Sequence, residues 1–203
     1  VIPEIQEKLV TDTTLIVKAP PGAGKSTLVP LTLMNETWLK GQKILMLEPR
    51  RLAAKTIANR MADLLGEQIG ESVGFRIRFE NRVGPNTQIE VVTEGILTRM
   101  IQQDNGLEGV GLVIFDEFHE RSLQMDTSLA LLRRLQETKR PSLRLIVTSA
   151  TLSSDPFFTF GQGFVWIRFP LYAVAVQTWL AKDRDIRILM LISMCIGMLI
   201  MCL

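Results

Sequence analysis

An apolar run that ends in a glycine-rich loop constrains this chain more than any other feature. Thr14-Leu-Ile-Val-Lys-Ala19 is short and bounded by Pro20-Pro21-Gly22, the pattern of a buried strand entering a tight turn. A helix is expected from Lys25, with Pro30 kinking it or ending its first stretch. The same alternation then recurs. Lys43-Ile-Leu-Met-Leu-Glu48 reads as a strand closed by Pro49. Residues 51–65 read as a helix, with Leu52, Ile57, Met61, Leu64 and Leu65 at helical spacing and Gly66 as its stop. Residues 88–92, 112–115 and 143–147 are three more strands, with helices over 95–103 and 126–138 among them. Strands separated in this way imply an α/β fold, a parallel sheet covered by helices on both faces. Ligands of such sheets sit at the carboxyl ends of the strands, so the residues that follow each strand are where chemistry is expected.

After the first strand come Gly22-Ala23-Gly24-Lys25-Ser26-Thr27, which resemble the phosphate-binding pattern G-x-x-x-x-G-K-[ST] with Ala19 in place of the first Gly. Gly22 and Gly24 let backbone N–H groups converge on phosphate oxygens, helped by the positive end of the following helix. Lys25 would reach the β- and γ-phosphates of a nucleotide, and the Ser26 hydroxyl would ligate Mg²⁺. The bland alternative is a glycine-rich turn with an incidental lysine. The strand over 112–115 ends in Asp116-Glu117-Phe118-His119. An acid at a buried strand end holds Mg²⁺ through water, and a neighbouring carboxylate orients or deprotonates the attacking water. Asp116 is therefore the metal candidate and Glu117 the base, against a solvated acidic loop as the rival reading. His119 reads as a link between the nucleotide and a second ligand.

The remaining strand ends are less specific. Arg50 and Arg51 follow one strand, and Thr93, Glu94 and Gly95 follow another. Cations, a hydroxyl and free N–H groups suit phosphodiester contacts, but they also suit helix caps and a solvated basic face. Thr148, Ser149, Ala150 and Thr151 follow the last strand and by themselves only suggest a cap.

Composition divides the chain near residue 152. The residues beyond it contain no Glu but hold both Cys, the only Tyr and five of the nine Phe. Their last run, Ile188 to Leu203, is 16 uncharged residues, short of the roughly 20 that a membrane helix needs. A membrane anchor, a core segment, or a stretch alien to the fold, such as translation in a wrong frame, are the three readings. The missing Glu and the lost alternation favour the third. The expected organisation is thus one domain over 1–152 and an unpacked apolar tail over 153–203. Two Cys and one His leave no room for a zinc cluster or disulfide framework, and the usage fits a reducing cytoplasm. A net charge of +2 argues neither for nor against nucleic acid.

The ordered set Ala19-x-x-x-x-Gly24-Lys25-Ser26, Pro49-Arg50-Arg51, Thr93-Glu94-Gly95, Asp116-Glu117-Phe118-His119 and Ser149-Ala150-Thr151 resembles the first RecA-like domain of DEAH-box and related DExH helicases. Val73-Gly-Phe-Arg-Ile-Arg-Phe-Glu80 looks like another stretch of that family. The resemblance covers residues 1–152 and implies a P-loop RecA-like sheet. It implies ATP and Mg²⁺ as ligands of Gly22, Ala23, Gly24, Lys25, Ser26 and Thr27, with Asp116 on the metal and Glu117 as base. It places Arg50, Arg51, Thr93, Glu94 and Gly95 along a nucleic acid, RNA before DNA, and gives His119, Ser149, Ala150 and Thr151 to coupling. A second RecA-like domain, which the family uses to close on the nucleotide, is not readable after residue 152, so unwinding by this chain alone is not expected. Two rivals stay open: a P-loop ATPase acting on protein, and a non-catalytic ATP- or RNA-binding or membrane-anchored module.

Overall fold

The computed structural model describes residues 2–18, 24–103 and 106–149. Loop residues 19–23, including Gly22 and Ala23, lie outside the described residues, as do Ala150, Thr151 and the whole of 153–203.

The elements in chain order are α1 (Ile2–Thr11), β1 (Thr14–Lys18), α2 (Leu28–Leu33), β2 (Lys43–Leu47), α3 (Arg51–Leu65), β3 (Val73–Ile77) and β4 (Glu80–Arg82). They continue with β5 (Ile89–Val92), α4 (Glu94–Gln103), β6 (Val110–Phe115), α5 (Leu123–Thr138) and β7 (Arg144–Ser149). Among the described residues the strands form one seven-stranded sheet in the order β1-β7-β6-β2-β5-β3-β4. Every pairing is parallel except β3 with β4, which is antiparallel. The central strands are buried on both faces, as the apolar runs of β2 and β6 require, with Glu90 the one charge inside β5.

One face packs Ile44, Met46, Val91, Leu112, Ile114 and Ile146 against α1, α2 and α3 in a single core. The alternating residues Leu45, Leu47, Val113, Phe115, Leu145 and Val147 turn to the other face and are equally buried. There α4 and α5 contribute Leu97, Met125, Leu129, Leu132 and Leu135. No helix among the described residues is long and apolar enough to cross a membrane.

Three details differ from the sequence expectation. Pro30 neither ends nor begins α2 but is its third residue, in the first turn, where no intrahelical N–H is required. The bounds of α3 and its left-handed Gly66 stop (φ 72°) are as read, but its buried face is not. Ala54, Ala58, Met61 and Ala62 face the sheet, while Leu52, Leu64 and Leu65 are exposed, Leu52 at 81%. Small residues let this helix approach β3 and β5 closely. The third difference is the β3–β4 hairpin, which turns at Arg78 and Phe79 and interrupts an otherwise parallel order.

Candidate functional site

Thr148, Asp116, Glu48 and Thr93 form one row across four adjacent strand ends. The register sets Val147 opposite Phe115, Phe115 opposite Leu47, and Leu47 opposite Val92. One residue further along, the ladder continues: Asp116 N–H donates to the Leu47 carbonyl and Glu48 N–H to the Val92 carbonyl, both at 2.9 Å. All four side chains are buried, Thr148 and Asp116 completely. A polar row of this kind in the core of a sheet edge is costly unless its members have partners.

Asp116 has one such partner. Thr148 Oγ1 donates to Asp116 Oδ1 at 2.5 Å, while Oδ2 is buried with no hydrogen-bond partner among the described residues. Glu48 is in a similar position. Its Oε1 accepts weakly from the Arg50 backbone N–H at 3.5 Å, and Oε2 has no partner among the described residues. Burial, reinforced by the Asp116 carboxylate and less by Glu117 and Glu120, pushes the Glu48 carboxyl from 4.5 up to about 7, against the smaller opposing pull of the Arg50 N–H.

The strand order puts β7 between β1, which leads into the phosphate-loop sequence, and β6, which ends at Asp116. Gly24 has φ +76°, and a Cβ there would sit 2.8 Å from Leu28 Cδ1, so this position calls for glycine. Its carbonyl accepts from Thr27 and Leu28, which starts the turn into α2. Lys25 on that turn is buried to 5% exposure, and Ser26 is half-buried beside it.

Glu117 follows Asp116 in the left-handed region at φ 48°, and Arg121 at φ 46° closes the same turn. For residues with a Cβ this costs on the order of 1–3 kcal/mol each, strain that the surrounding contacts must hold. Phe118 anchors the turn, buried edge-on against Phe115. His119 Nδ1 lies 3.3 Å from Glu117 Oε2 at the surface.

The expected nucleic-acid residues have partners of their own. Arg50 forms a forked ion pair with Glu120, Nη2 to Oε1 at 2.6 Å and Nε to Oε2 at 3.2 Å. Arg51 is exposed at the start of α3. The Thr93 carbonyl accepts from Ile96 and Leu97 and so opens α4. Glu94 Oε1 accepts from Ser122 Oγ at 2.5 Å, which ties α4 to the cap of α5, where Ser122 Oγ takes the Met125 N–H. Around Gly95 no atom lies within 4 Å of where a Cβ would stand. Ser149 is fully buried at the end of β7.

Three residues at this edge were not singled out from sequence: Thr148, Glu48 and Glu120. Glu48 occupies a strand end, the position where function was sought. Thr148 was legible only as part of a strand-end cap and Glu120 only as the residue after the Asp116–His119 box, because each acts on a residue many positions away in sequence.

A model of the DEAD/DEAH box helicase family matches residues 1–157. The ATP-dependent RNA helicase HrpB of Escherichia coli is 56% identical over 155 residues, 76% of this chain and 19% of that protein. The ATP-dependent RNA helicase HrpA of the same organism is 40% identical over 156 residues, 76% of this chain and 12% of that protein. The crystal structure of E. coli DEAH/RHA helicase HrpB superposes with a TM-score of 0.74 at 54% identity, covering 77% of this chain and 20% of that one. The chain spans about a fifth or less of the length of the curated relatives it matches.

Proposed function

The chain belongs to the DEAD/DEAH box helicase family, and from that premise we propose that residues 1–152 are the nucleotide-hydrolysing motor domain of an ATP-dependent RNA helicase. The observation that carries this reading is Asp116. It is a completely buried acid at the end of β6, held through one oxygen by the neighbouring strand and followed directly by Glu117. A buried carboxylate with one engaged oxygen and one lacking a partner among the described residues fits a water-mediated contact to Mg²⁺. Ser26 would supply the hydroxyl for the same ion, which would neutralise charge on the phosphates during transfer.

The chain's own residues then divide the work. Lys25 pairs with the phosphates, with Gly22, Ala23, Gly24 and Thr27 around them. Glu117 takes a proton from the water as its oxygen bonds to the γ-phosphorus. The bond from that phosphorus to the bridging oxygen breaks, and ADP and phosphate leave. On the nucleic-acid side, Arg50, Arg51 and the N-terminus of α4 at Thr93, Glu94 and Gly95 face the phosphodiester backbone. His119, Ser149, Ala150 and Thr151 link the two sides. The resemblance adds a second RecA-like domain that closes on the nucleotide, and the cysteine usage adds a reducing cytoplasm as the setting. Every residue of this reading lies within 1–152, and the family match over residues 1–157 supports seeking the site there.

Steady-state ATP hydrolysis with and without single-stranded RNA tests the proposal. Glu117→Gln should keep ATP binding and lose about 10²- to 10⁴-fold in turnover, the usual contribution of a positioned base. Undiminished turnover in that variant would remove Glu117 from the mechanism. Stimulation by an unfolded protein but not by RNA would move the chain to the protein-remodelling class.

A further inference from the structure

We propose that Thr148 is a positioning residue for Asp116, setting the carboxylate orientation that receives Mg²⁺; this rests on the nucleotide-hydrolysing reading above. Thr148 stands in β7 after the apolar stretch Leu145, Ile146 and Val147, at a site with no solvent exposure. A hydroxyl there must be hydrogen-bonded or it costs stability. Its partner is Asp116 Oδ1, and it is the only side-chain donor to that carboxylate among the described residues.

Position and stiffness make this contact directional. β7 is paired on both sides, with β1 and with β6, so the Thr148 backbone has little freedom. A β-branched side chain is stiff at χ1, which fixes the hydroxyl in turn. The χ2 torsion of an aspartate is broad and two-fold, so nothing intrinsic to Asp116 sets the plane of its carboxylate. The donor on β7 sets it. With Oδ1 held from that side, Oδ2 is the oxygen left to face a ligand. Glu48 flanks Asp116 from the neighbouring strand on the other side, and no hydrogen bond joins the two carboxyl groups among the described residues.

The test is Mg²⁺-dependent binding of fluorescently labelled ADP by the 203-residue chain, with melting temperature recorded for each variant. Thr148→Val keeps the shape and removes the donor. It should raise the Mg²⁺ concentration for half-maximal binding about tenfold, the loss of one hydrogen bond to a charged group. Binding of labelled ADP without Mg²⁺ should stay the same, and Thr148→Ser should restore the Mg²⁺ midpoint to within about twofold. If Thr148→Val does not fold, Thr148→Ala is read in the same way. An unchanged midpoint overturns the inference, as does a parallel loss of melting temperature and of both affinities. Misfolding of both variants beside a folded Thr148→Ser also overturns it, since the hydroxyl then serves the fold alone. A parent chain with no Mg²⁺-dependent binding overturns the functional reading as well, whereas a normal parent matched by Thr148→Val overturns this inference only.

Discussion

At Asp116 both members of the hydrogen bond are completely buried on paired strands. Past the ends of β6 and the adjoining β2, Arg50 and Glu120 meet across two loops, with the Arg50 side chain 70% exposed. The first contact cannot trade its partner for water, so its geometry exists before any ligand arrives. The second is an exposed ion pair, a type worth about 0.2–1 kcal/mol, and a phosphate can replace Glu120 at little cost. One sheet edge thus carries a preset region and an exchangeable one. Preset geometry suits a reaction whose catalysis is mostly positioning. Exchangeable pairing suits a strand that must be gripped and released.

The contrast can be broken most forcefully at Glu48, the buried acid between the two regions. Its carboxyl is raised to about 7 in the folded protein. Below about pH 4.5 it is protonated in folded and unfolded chains alike, and the favourable neutral state is fully present. As pH rises towards 7 the unfolded chain ionises first, and stability falls by on the order of 3 kcal/mol, remaining low above pH 7. Denaturant titrations in EDTA from pH 5 to 8 should show this fall in the parent. Glu48→Gln should flatten it and be the more stable protein at pH 8. Parallel curves would mean that the row between Asp116 and Thr93 is wetter than its burial indicates.

Lys25→Ala probes the preset region at the phosphates. Loss of a charge-assisted contact should weaken binding of labelled ATP by about 1.5–3 kcal/mol, measured by equilibrium titration. Affinity within twofold of the parent would take Lys25 out of the nucleotide site. The smallest effect is expected at the exchangeable pair. Glu120→Gln should raise the affinity for single-stranded RNA about two- to fivefold at low salt, because Arg50 no longer gives up a carboxylate partner to bind a phosphate. An unchanged or weaker affinity would show that Arg50 and Glu120 act as a fixed brace.

Strands and their order of appearance were legible because buried parallel strands are written as apolar runs with turn residues behind them. The α3 helix was legible in extent and misleading in orientation. Its leucines satisfy a helical spacing, but the sheet selects Ala54 and Ala58, and only packing distance decides between the two faces. The β3–β4 hairpin hid because Arg76 breaks the apolar run of β3. In the fold that arginine pairs with Glu90, which Lys43 also contacts, so three charges form one cluster on a sheet face. At the site, Lys25, Asp116 and Glu117 were legible as residues that follow strands. Thr148 was legible only as part of a strand-end cap, since its role depends on the register of β7 against β6.

The position of β7 has a consequence for how the domain assembles. β1, whose end leads to the phosphate-loop sequence, has β7 as its only strand partner among the described residues. A growing chain that has not yet reached residue 144 has no place for β1 to pair. β1 therefore waits for a strand far along the chain, and closing so long a loop is the slow kind of contact. Until then the backbone edge of β1 that β7 occupies stays unpaired, open to the wrong partner. The strand end that precedes the phosphate-loop sequence thus takes its place in the sheet only beside the strand that carries Thr148.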